Sequence, residues 1–458
     1  MSFVIYDTET TGLDTTFDQI LQFAAVRTDE ELNVVERFET RCRLLPHVVP
    51  DPEALTVTGM SLASIRDPAL RSHYEMMREI RMRLEEWSPS TFIGFNSITF
   101  DERMLHQAFY QTLHEPALTS LNGNSRADAL SLCRAAAFFA PGCLRIPTRE
   151  DGSASFRLAD LSGANSGPVA DHTAAADVEA ILHLCRTVRD ADWECWSRFL
   201  RFSSKAAART LIEEESGFGV ITFKGNEPRA VPAALIASGG VDPNLRYCLD
   251  LTTDLDALAD APDDAIVTTL GSGHLVRVRI NACPAVCPIY ELPDAALAGF
   301  DETELELRGE RVRTDPRLGA RLRGVLMAAE TPFPEGRHVE QMVYGRRLDE
   351  EDMETLRAFH RADWPRRMEL VGLIRDPRYR NLGNRLVFIE AEHELPLDRA
   401  ARVRAAIASR LSAVPGSQPM RSVNDVLQAI EADPQRRHGP LTHQYRMLLT
   451  EAELVPGT

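Results

Sequence analysis

Long apolar runs are missing from this sequence of 458 residues. Nowhere does it approach the roughly 20 consecutive apolar residues that a membrane-spanning helix needs. No basic segment comes before the first apolar run at residues 3–6, so the sequence does not indicate a secretion signal either. We therefore expect a cytoplasmic protein that makes no contact with a membrane, and we expect it to be a monomer.

The cysteines lack any regular spacing. The chain has 8 of them, and Cys283 and Cys287 form one C-x3-C pair that no second cysteine or histidine pair completes into a zinc site. Free thiols in a reducing compartment explain this pattern better than disulfides or zinc ligands do.

Lysine is also nearly absent, and acidic residues outnumber basic ones. Lys205 and Lys224 are the only lysines, and the formal net charge is −17. Nucleic-acid-binding proteins usually carry a basic surface, so the net charge alone speaks against that class. The sign reverses at 361–385, where seven arginines stand against three acids. Arginine suits phosphate binding through two hydrogen bonds, although a general compositional bias is the explanation we favour.

The chain is too long for a single core, and its length suggests roughly two to four domains. Apolar runs at the start, separated by short turns, predict an antiparallel meander. Helical and strand patterns then alternate, which predicts an α/β domain with a mixed sheet over 1–190. The runs lie at 3–6, 20–26 and 32–42, with a further strand at 91–96 and helices at 72–87, 100–113, 126–140 and 176–188.

Two further regions differ in composition from the first. The region 195–345 is rich in turns and β-type residues, which predicts a small β-rich domain. Helical periodicity dominates 346–458, which predicts a third, α-helical domain. Strands are expected at 219–225, at 246–254 and within 264–292, and helices at 316–329, 349–364, 397–414, 422–433 and 442–454.

Asp7 and Glu9 follow the first apolar run, two residues apart. Side chains two apart on a strand leave the same face, so both carboxylates should point the same way. The D-x-E pattern alone is weak evidence, because a strand that ends in solvent would look the same. A functional site therefore requires that other acids converge on this pair.

Asp101 is the second candidate. It takes the first position of the apolar stripe that Met104, Leu105 and Ala108 continue. A carboxylate in a buried stripe is costly unless it is paired or binds a metal. Capping of the helix amino terminus is the alternative, and aspartate is well suited to that role.

Asp177 and His172 are the third candidate group. Asp177 borders the apolar stripe of the helix at 176–188, and His172 lies five residues earlier. Five residues turn a helix by about 140° net, so the two side chains would diverge if both were helical. They can share a site if His172 lies in the loop before the helix. Asp171 is a rival that we expect to be solvated.

These residues form the series D-x-E, D, H-x4-D, carried by a strand, a helix start and a second helix. In this series the sequence resembles the DEDD 3′→5′ exonucleases of the ribonuclease-H-like fold, in the subclass with a catalytic histidine. Stretches such as YDTETTG, IGFNSITFDERM and DHTAAADVEA resemble, more narrowly, the bacterial exonuclease I family of single-strand-specific deoxyribonucleases. The resemblance covers most of the chain and is strongest over the first domain.

The resemblance implies an exonuclease domain, then an SH3-like domain, then a helical domain, which together close around a single DNA strand. It implies that Asp7, Glu9, Asp101 and Asp177 bind two Mg²⁺ ions, with Mn²⁺ able to replace them, and that His172 is the general base. Magnesium prefers oxygen ligands, and paired ions can activate water for phosphodiester hydrolysis, so the residue types suit this chemistry. The expected reaction is 3′→5′ hydrolysis of single-stranded DNA to 5′-mononucleotides, in DNA repair or recombination.

The resemblance also implies contacts with the substrate and with one protein partner. Substrate contacts are expected at Glu9, Thr10, Arg126, Arg134 and Arg157, although surface ion pairs explain the three arginines almost equally well. The family tends to have an arginine-rich segment where this chain has glutamates, at 390, 392 and 394. That difference puts in doubt a contact of the helical domain with DNA or with the acidic tail of single-strand-binding protein, unless the arginines at 361–385 replace the lost basic surface.

Two other functions remain open at this point. The first is an exonuclease of the same fold that acts on RNA ends or proofreads for a polymerase, against which the long carboxy-terminal half argues. The second is a non-catalytic nucleic-acid-binding adaptor, against which the retention of all five polar residues argues.

Overall fold

The computed structural model describes residues 2–224, 227–432 and 440–453. The ends of three predicted elements, residues 225, 433 and 454, lie outside these ranges, as do the last residues of the predicted third domain at 455–458. Within the described ranges, no helix combines the length and the apolar character that crossing a membrane requires.

A mixed five-stranded sheet organises the first part of the chain. The sheet order is β3-β2-β1-β4-β5, in which β1 to β3 are antiparallel neighbours while β4 and β5 run parallel to β1. This confirms the predicted meander and the mixed sheet. The strands are β1 (Phe3–Thr10), β2 (Ile20–Thr28), β3 (Val34–Arg41), β4 (Thr91–Gly94) and β5 (Ser125–Asp128).

Helices cover both faces of this sheet. They are α1 (Pro52–Val57), α2 (Leu62–Ile65), α3 (His73–Glu86), α4 (Asp101–Gln111), α5 (Ala129–Phe139), α6 (Leu158–Ala164), α7 (Ala174–Ala191) and α8 (Trp193–Ser203). The next helix, α9 (Lys205–Glu214), packs instead in the core of the β-rich part that follows. Phe3 and Ile5 of β1 pack in the core that α5, α7 and α8 share, whereas Val4 and Tyr6 pack in the core on the α3 and α4 side. Successive side chains of β1 thus point alternately into the two cores, one on each face of the sheet.

One predicted helix in this part starts later than expected. The pattern at 126–140 predicts a helix throughout, but residues 126–128 belong to β5. Asp128 caps the helix that follows, because its side chain accepts a hydrogen bond from the backbone N–H of Leu130. An N-cap residue has extended backbone geometry, so the strand ends where the helix begins.

A second five-stranded sheet, entirely antiparallel, forms the middle of the chain in the order β10-β6-β7-β8-β9. This confirms the β-rich character of the region, while its assignment as SH3-like stays a prediction. The strands are β6 (Phe218–Lys224), β7 (Glu227–Ser238), β8 (Leu245–Asp250), β9 (Leu275–Arg279) and β10 (Val286–Pro288). The helices here are α10 (Leu255–Asp260), α11 (Asp263–Thr269), α12 (Glu302–Thr314) and α13 (Arg321–Ala329).

The stretch 264–292, which was expected to be rich in strands and turns, begins with a helix instead, because 264–269 lie in α11. Asp263 and Asp264 occupy its first turn, where negative charge is favourable. Ile266 is buried in the core of this domain, together with Leu270 just beyond the helix. Their spacing of four residues is compatible both with one face of a helix and with one face of a strand, so the β-branched residues led to the wrong prediction.

The last part is helical, as predicted. Its helices are α14 (Glu350–Arg361), α15 (Trp364–Leu373), α16 (Pro377–Ala391), α17 (Leu397–Leu411), α18 (Val423–Ala432) and α19 (Pro440–Glu453). Two of its cores include residues of the first part, namely Tyr74 and Tyr110 in one and Leu21 and Val49 in the other. The helical part therefore packs directly on the α/β part, and the predicted boundaries at 190 and 345 stay predictions.

All eight cysteines are free thiols, and burial raises the pKa of several of them, for example that of Cys42 to about 12. This confirms the expectation of free thiols without a disulfide framework.

Candidate active site

The end of β1 carries the first two acids to one face of the sheet. Phe3, Ile5, Asp7 and Glu9 alternate with Tyr6 and its neighbours, so the carboxylates continue the face on which α7 packs. β1 pairs with β4 only over residues 3–5, and its last half therefore runs on beyond β4. Asp177, in the first turn of α7, meets the two acids there: carboxylate oxygens of Asp7, Glu9 and Asp177 lie within 4.8 Å of one another.

Asp101 approaches the same place from α4. It is the first residue of the helix and is 4% exposed, while the N-cap position belongs to Phe100, which makes no side-chain capping bond. The capping alternative is therefore wrong. The hydroxyl of Thr8 donates a hydrogen bond to Asp101 Oδ1 at 2.5 Å, which ties α4 to β1. The charge of Asp101 in turn raises the pKa of Asp7.

The four carboxylates are held in a state that resists ionisation. Burial, followed by repulsion from the neighbouring acids, raises the pKa of Asp7 well above its usual range and that of Glu9 to about 8. Burial also raises the pKa of Asp101 to about 7 and raises that of Asp177. The charges that act on Asp7 and Glu9 are all carboxylates, so no basic side chain compensates them.

A divalent cation fits this group of residues. Asp177 Oδ1 is buried and has no hydrogen-bond partner among the described residues. An unpaired buried oxygen beside mutually repelling carboxylates is costly, and a bound cation would remove both costs. The hard oxygen donors match the ligand preference of magnesium, and neither cysteine nor histidine belongs to the cluster found in the described chain.

His172 lies in the loop before α7, where we expected it. Its backbone has a positive φ of 60°, and this turn brings its N–H to Asp177. Burial raises the pKa of Asp177, and both the hydrogen bond from this N–H and the charge of His172 offset part of that rise. The rival Asp171 is exposed, and its carboxylate accepts hydrogen bonds from the N–H and hydroxyl of Thr173 at the helix start. Asp171 therefore shapes the turn, and the prediction that it is solvated is confirmed.

The Thr-Thr-Gly turn after β1 is fixed by the carboxy-terminal part of the chain. Thr10 donates a hydrogen bond to the carbonyl of Gly12 at 2.8 Å, and Thr11 donates one to Asp18 at 2.9 Å. Arg421, just before α18, binds Asp18 at 2.9 Å and the carbonyl of Val49 at 2.8 Å. A β-carbon on Gly12 would overlap the side-chain ends of Asp18 and Arg421, so a larger residue there would push this ion pair aside.

The three candidate substrate arginines lie in different environments, and none joins the carboxylate cluster. Arg126 is largely buried, 3.3 Å from Glu102, and its other nitrogen contacts the carbonyl of Asn281 at 3.4 Å. The guanidinium of Arg134 lies over the ring of Phe223 at 4.8 Å. Arg157 is exposed at the start of α6. Their substrate contacts stay predictions, as does that of Thr10.

Glu102 is the residue at this site that the sequence analysis missed. It is 1% exposed and accepts hydrogen bonds from Tyr6 and Thr119, both at 2.6 Å. A second acid directly after Asp101 was the available signal, but two adjacent acids at a helix start are also typical of exposed helix ends. The distant partners distinguish these cases, and the sequence does not show them.

A cavity of about 1930 Å³ opens beside the acids. Its wall includes Thr99 and Glu102, on either side of Asp101, although none of the four carboxylates lines it. The rest of the wall comes from other residues of the first part, such as Arg103 and His106, and from the β-rich part, the segment 333–346 and the helical part. Seven arginines and four acids line it, so the cavity is locally basic in a chain whose net charge is −17. The lining arginines are Arg103, Arg126, Arg277, Arg279, Arg337, Arg346 and Arg378.

Comparison with known proteins agrees with this geometry. Residues 4–185 match the family model described as Exonuclease. Exodeoxyribonuclease I of Haemophilus influenzae is 30% identical over 320 residues, which cover 64% of this chain and 66% of that protein, just under two thirds of its length. Other proteins of that name match at 26–27% identity over 62–82% of their lengths.

Solved structures show the same fold over the whole chain. Exonuclease I of Methylocaldum szegediense is similar with a TM-score of 0.82 and 24% identity, covering 100% of both chains. Exonuclease I of E. coli, solved in complex with a dA16 oligonucleotide, has a TM-score of 0.82 and 22% identity, covering 99% of both chains.

The fold and the matched family model define the first part of the chain as an exonuclease domain, the domain of a nuclease hydrolase. Members of this domain family depend on divalent metals, which agrees with the carboxylate cluster. Its relatives carry the similarity one step further: the chain is similar to proteins named exodeoxyribonuclease I over most of its length, and it shares the fold of exonuclease I.

Proposed function

We propose that this protein is a Mg²⁺-dependent 3′→5′ exodeoxyribonuclease that degrades single-stranded DNA to 5′-mononucleotides. The observation that carries the proposal is the convergence of acids from three distant elements. Asp7, Glu9 and Asp177 form one cluster, Asp101 acts on Asp7 by its charge, and no basic side chain offsets the two acids of β1. The names of the relatives support DNA as the substrate, and the complex of the E. coli protein with an oligonucleotide supports a single strand. Service in DNA repair or recombination, and a cytoplasmic location, belong to the same proposal.

The residues of the chain divide the chemistry between them. Two bound divalent cations would lower the pKa of a water molecule and neutralise charge on the leaving oxygen. The four carboxylates supply the oxygen ligands, and β1, α4 and α7 fix their directions. His172 accepts the proton of the attacking water, since its loop holds it next to Asp177.

The cavity beside the acids is the proposed path of the strand. Its seven arginines offer phosphate contacts, and aromatic side chains such as Tyr344, which is 67% exposed, offer a ring on which a base can stack. A basic path inside an acidic protein confines the strand to one route. This explains how a chain with a net charge of −17 can bind nucleic acid.

Contact with the acidic tail of single-strand-binding protein is a separate part of the proposal. Each of the seven arginines at 361–385 already binds a carboxylate or a backbone carbonyl of the chain, for example Arg375 with Asp349 and Arg380 with the carbonyl of Ile374. Glu392 pairs with Arg404. A tail peptide must therefore displace internal partners at this surface, and we expect weak binding in a titration with a labelled acidic peptide.

Matched 3′- and 5′-labelled substrates test the function directly. Single-stranded DNA, single-stranded RNA and duplex ends are incubated with Mg²⁺ or Mn²⁺ and the wild-type protein, with Asp7→Ala as the inactive variant. Glu306→Gln, which neutralises an exposed acid on α12, is the control. We expect 5′-mononucleotides from single-stranded DNA in 3′→5′ order. Faster loss of RNA would favour the RNA-directed alternative, and full activity of Asp7→Ala would favour the non-catalytic adaptor.

A further inference from the structure

Glu102 lies buried between the carboxylate cluster and the large cavity. Its exposure is 1%, and it is the residue next to Asp101 at the start of α4. A buried carboxylate is retained only when donors surround it. The donors of Glu102 come from two directions, one toward the acids and one toward the cavity.

On the side of the acids, Glu102 holds the strand that carries Asp7. The hydroxyl of Tyr6 donates to Glu102 Oε1 at 2.6 Å, and the hydroxyl of Thr8 donates to Asp101 Oδ1 at 2.5 Å. Tyr6 and Thr8 flank Asp7 and point to the opposite face of β1. Asp101 and Glu102 of α4 therefore accept hydrogen bonds from the residues on both sides of Asp7. These two bonds fix the spacing between β1 and α4.

On the side of the cavity, Glu102 contacts two residues that face the strand path. Arg126 Nη1 donates a hydrogen bond to Glu102 Oε2 at 3.3 Å, whereas His106 Nε2 lies 3.6 Å from the same oxygen and makes no hydrogen bond to it. His106 Nδ1 is 3.0 Å from the hydroxyl of Tyr344, and the two rings meet edge to face at 5.9 Å. Tyr344 is 67% exposed and lines the cavity, as Arg126 and His106 do.

We infer that Glu102 is a positioning residue that couples occupancy of the cavity by a single strand to the geometry of the metal-binding carboxylates. A strand that contacts Arg126 restrains a donor of Glu102, and a strand that contacts Tyr344 restrains His106 beside the same carboxylate. Glu102 in turn restrains β1 against α4. Polar networks inside a protein respond as a unit, because a displaced donor leaves a buried charge unsatisfied. The inference rests on the proposed function, since it takes single-stranded DNA and a divalent metal as the two ligands.

Coupling of this kind is reciprocal. If a bound strand tightens metal binding by some factor, bound metal tightens strand binding by the same factor. A glutamate with a purely structural role would support folding without such a link. The coupling role and the purely structural role predict different effects when Tyr344, on the cavity side of the network, is changed. Tyr344 can be changed without altering any of the acids.

The test measures Mg²⁺ affinity by titration calorimetry, with and without a single-stranded oligonucleotide made resistant to hydrolysis by phosphorothioate linkages. Glu102→Gln removes the charge that faces Arg126 and His106, Tyr6→Phe removes the bond to β1, and Tyr344→Phe removes only the hydroxyl that contacts His106. Glu306→Gln is the charge-matched control.

We expect the strand to tighten Mg²⁺ binding to the wild-type protein and to the control. Tyr344→Phe should keep the strand-free Mg²⁺ affinity and lose the tightening. Glu102→Gln and Tyr6→Phe should weaken Mg²⁺ binding about 10–100-fold, the range found when residues behind metal ligands are changed. Their kcat should fall more than their KM rises.

The inference is overturned if the strand does not tighten Mg²⁺ binding to the wild-type protein, or if Tyr344→Phe retains the tightening. It is also overturned if Glu102→Gln lowers only the thermal stability and leaves metal affinity and kcat unchanged. Failure of the proposed function has a different result, which is a wild-type protein that binds Mg²⁺ but degrades no single-stranded DNA. Tyr344→Phe changes an exposed side chain, so the test does not depend on whether the buried variants fold.

Discussion

Two groups of buried carboxylates in this molecule have opposite electrostatic properties. In the first, the four acids at the end of β1 repel one another, and the pKa of Glu9 is raised to about 8. In the second, Glu340 lies 3% exposed between Arg385, at 2.6 Å, and Arg410, at 2.8 Å. Burial alone would raise the pKa of Glu340, but the two guanidinium groups outweigh it and lower the value to about 2.

The difference shows that burial does not decide what an acid does; its partners decide. Glu340 is satisfied by the chain itself and joins the segment before α14 to α16 and α17, so its role is structural. Asp7 and Glu9 are left without a basic partner, and such an arrangement persists where function requires it. A group of carboxylates without basic partners can bind a cation, whereas a carboxylate paired with arginines holds parts of the fold together.

The largest effect is expected from Asp7→Asn. Loss of one ligand should reduce nuclease activity by about 10⁴-fold, the scale seen when one member of a catalytic unit is removed. The same change relieves repulsion among the acids, so the midpoint of thermal unfolding in EDTA should rise. Initial rates with labelled single-stranded DNA and a thermal melt check both parts. A lower midpoint in EDTA would contradict the account of the acids as an uncompensated group.

Glu340→Gln should have the reverse pattern. It leaves Arg385 and Arg410 facing each other without an anion, and breaking such a buried pair costs roughly 3–5 kcal/mol. The free energy of unfolding, measured in denaturant, should fall by that amount, while activity per folded molecule stays near the wild-type value. Glu335→Gln, an exposed acid on the same segment, serves as the control. A variant as stable as the control would show that the two arginines find other partners.

The two groups should also respond to pH in opposite directions. The pKa values of Glu9 and Asp101 are raised, to about 8 and about 7, so the metal-free protein should lose stability as pH rises from about 4 to 8. The pKa of Glu340 is lowered to about 2, so its contribution should be lost as pH falls below about 4.5. Thermal melts in EDTA across this pH range measure both the loss of stability at high pH and the loss at low pH. Added Mg²⁺ should abolish the loss at high pH, and an unchanged slope would argue against metal binding by these acids.

The smallest effect is expected at an exposed ion pair. Arg357 lies 3.0 Å from both Glu350 and Glu354 on the surface of α14, where solvent and salt screen the charges. Glu354→Gln should leave the unfolding midpoint unchanged within error at physiological salt. A clear drop would show that this surface belongs to a cooperative network, and would weaken the contrast between buried and exposed acids.

Much of the site could be predicted from the sequence because local rules place it. The alternation of β1 fixes Asp7 and Glu9 on one face, and the helical stripe marks Asp101 as a buried acid. The loop before α7 allows His172 to join Asp177. Each of these statements needs only the few residues around one position, together with a family resemblance that supplies the convergence.

The remaining features depend on contacts between distant segments. Glu102 looks like an ordinary acid at a helix start until Tyr6, Thr119 and Arg126 are brought around it. Residues 264–269 carry a β-type composition, yet the surrounding core selects a helix. Periodicity over short windows does not contain that information, because packing against other elements overrides local preference.

The bond between Arg421 and Asp18 gives the protein a temporal order. Asp18 shapes the turn that follows the first two acids, and Arg421 lies 403 residues further along the chain. A growing chain therefore contains the two acids of β1 long before it contains the arginine that secures the loop after them.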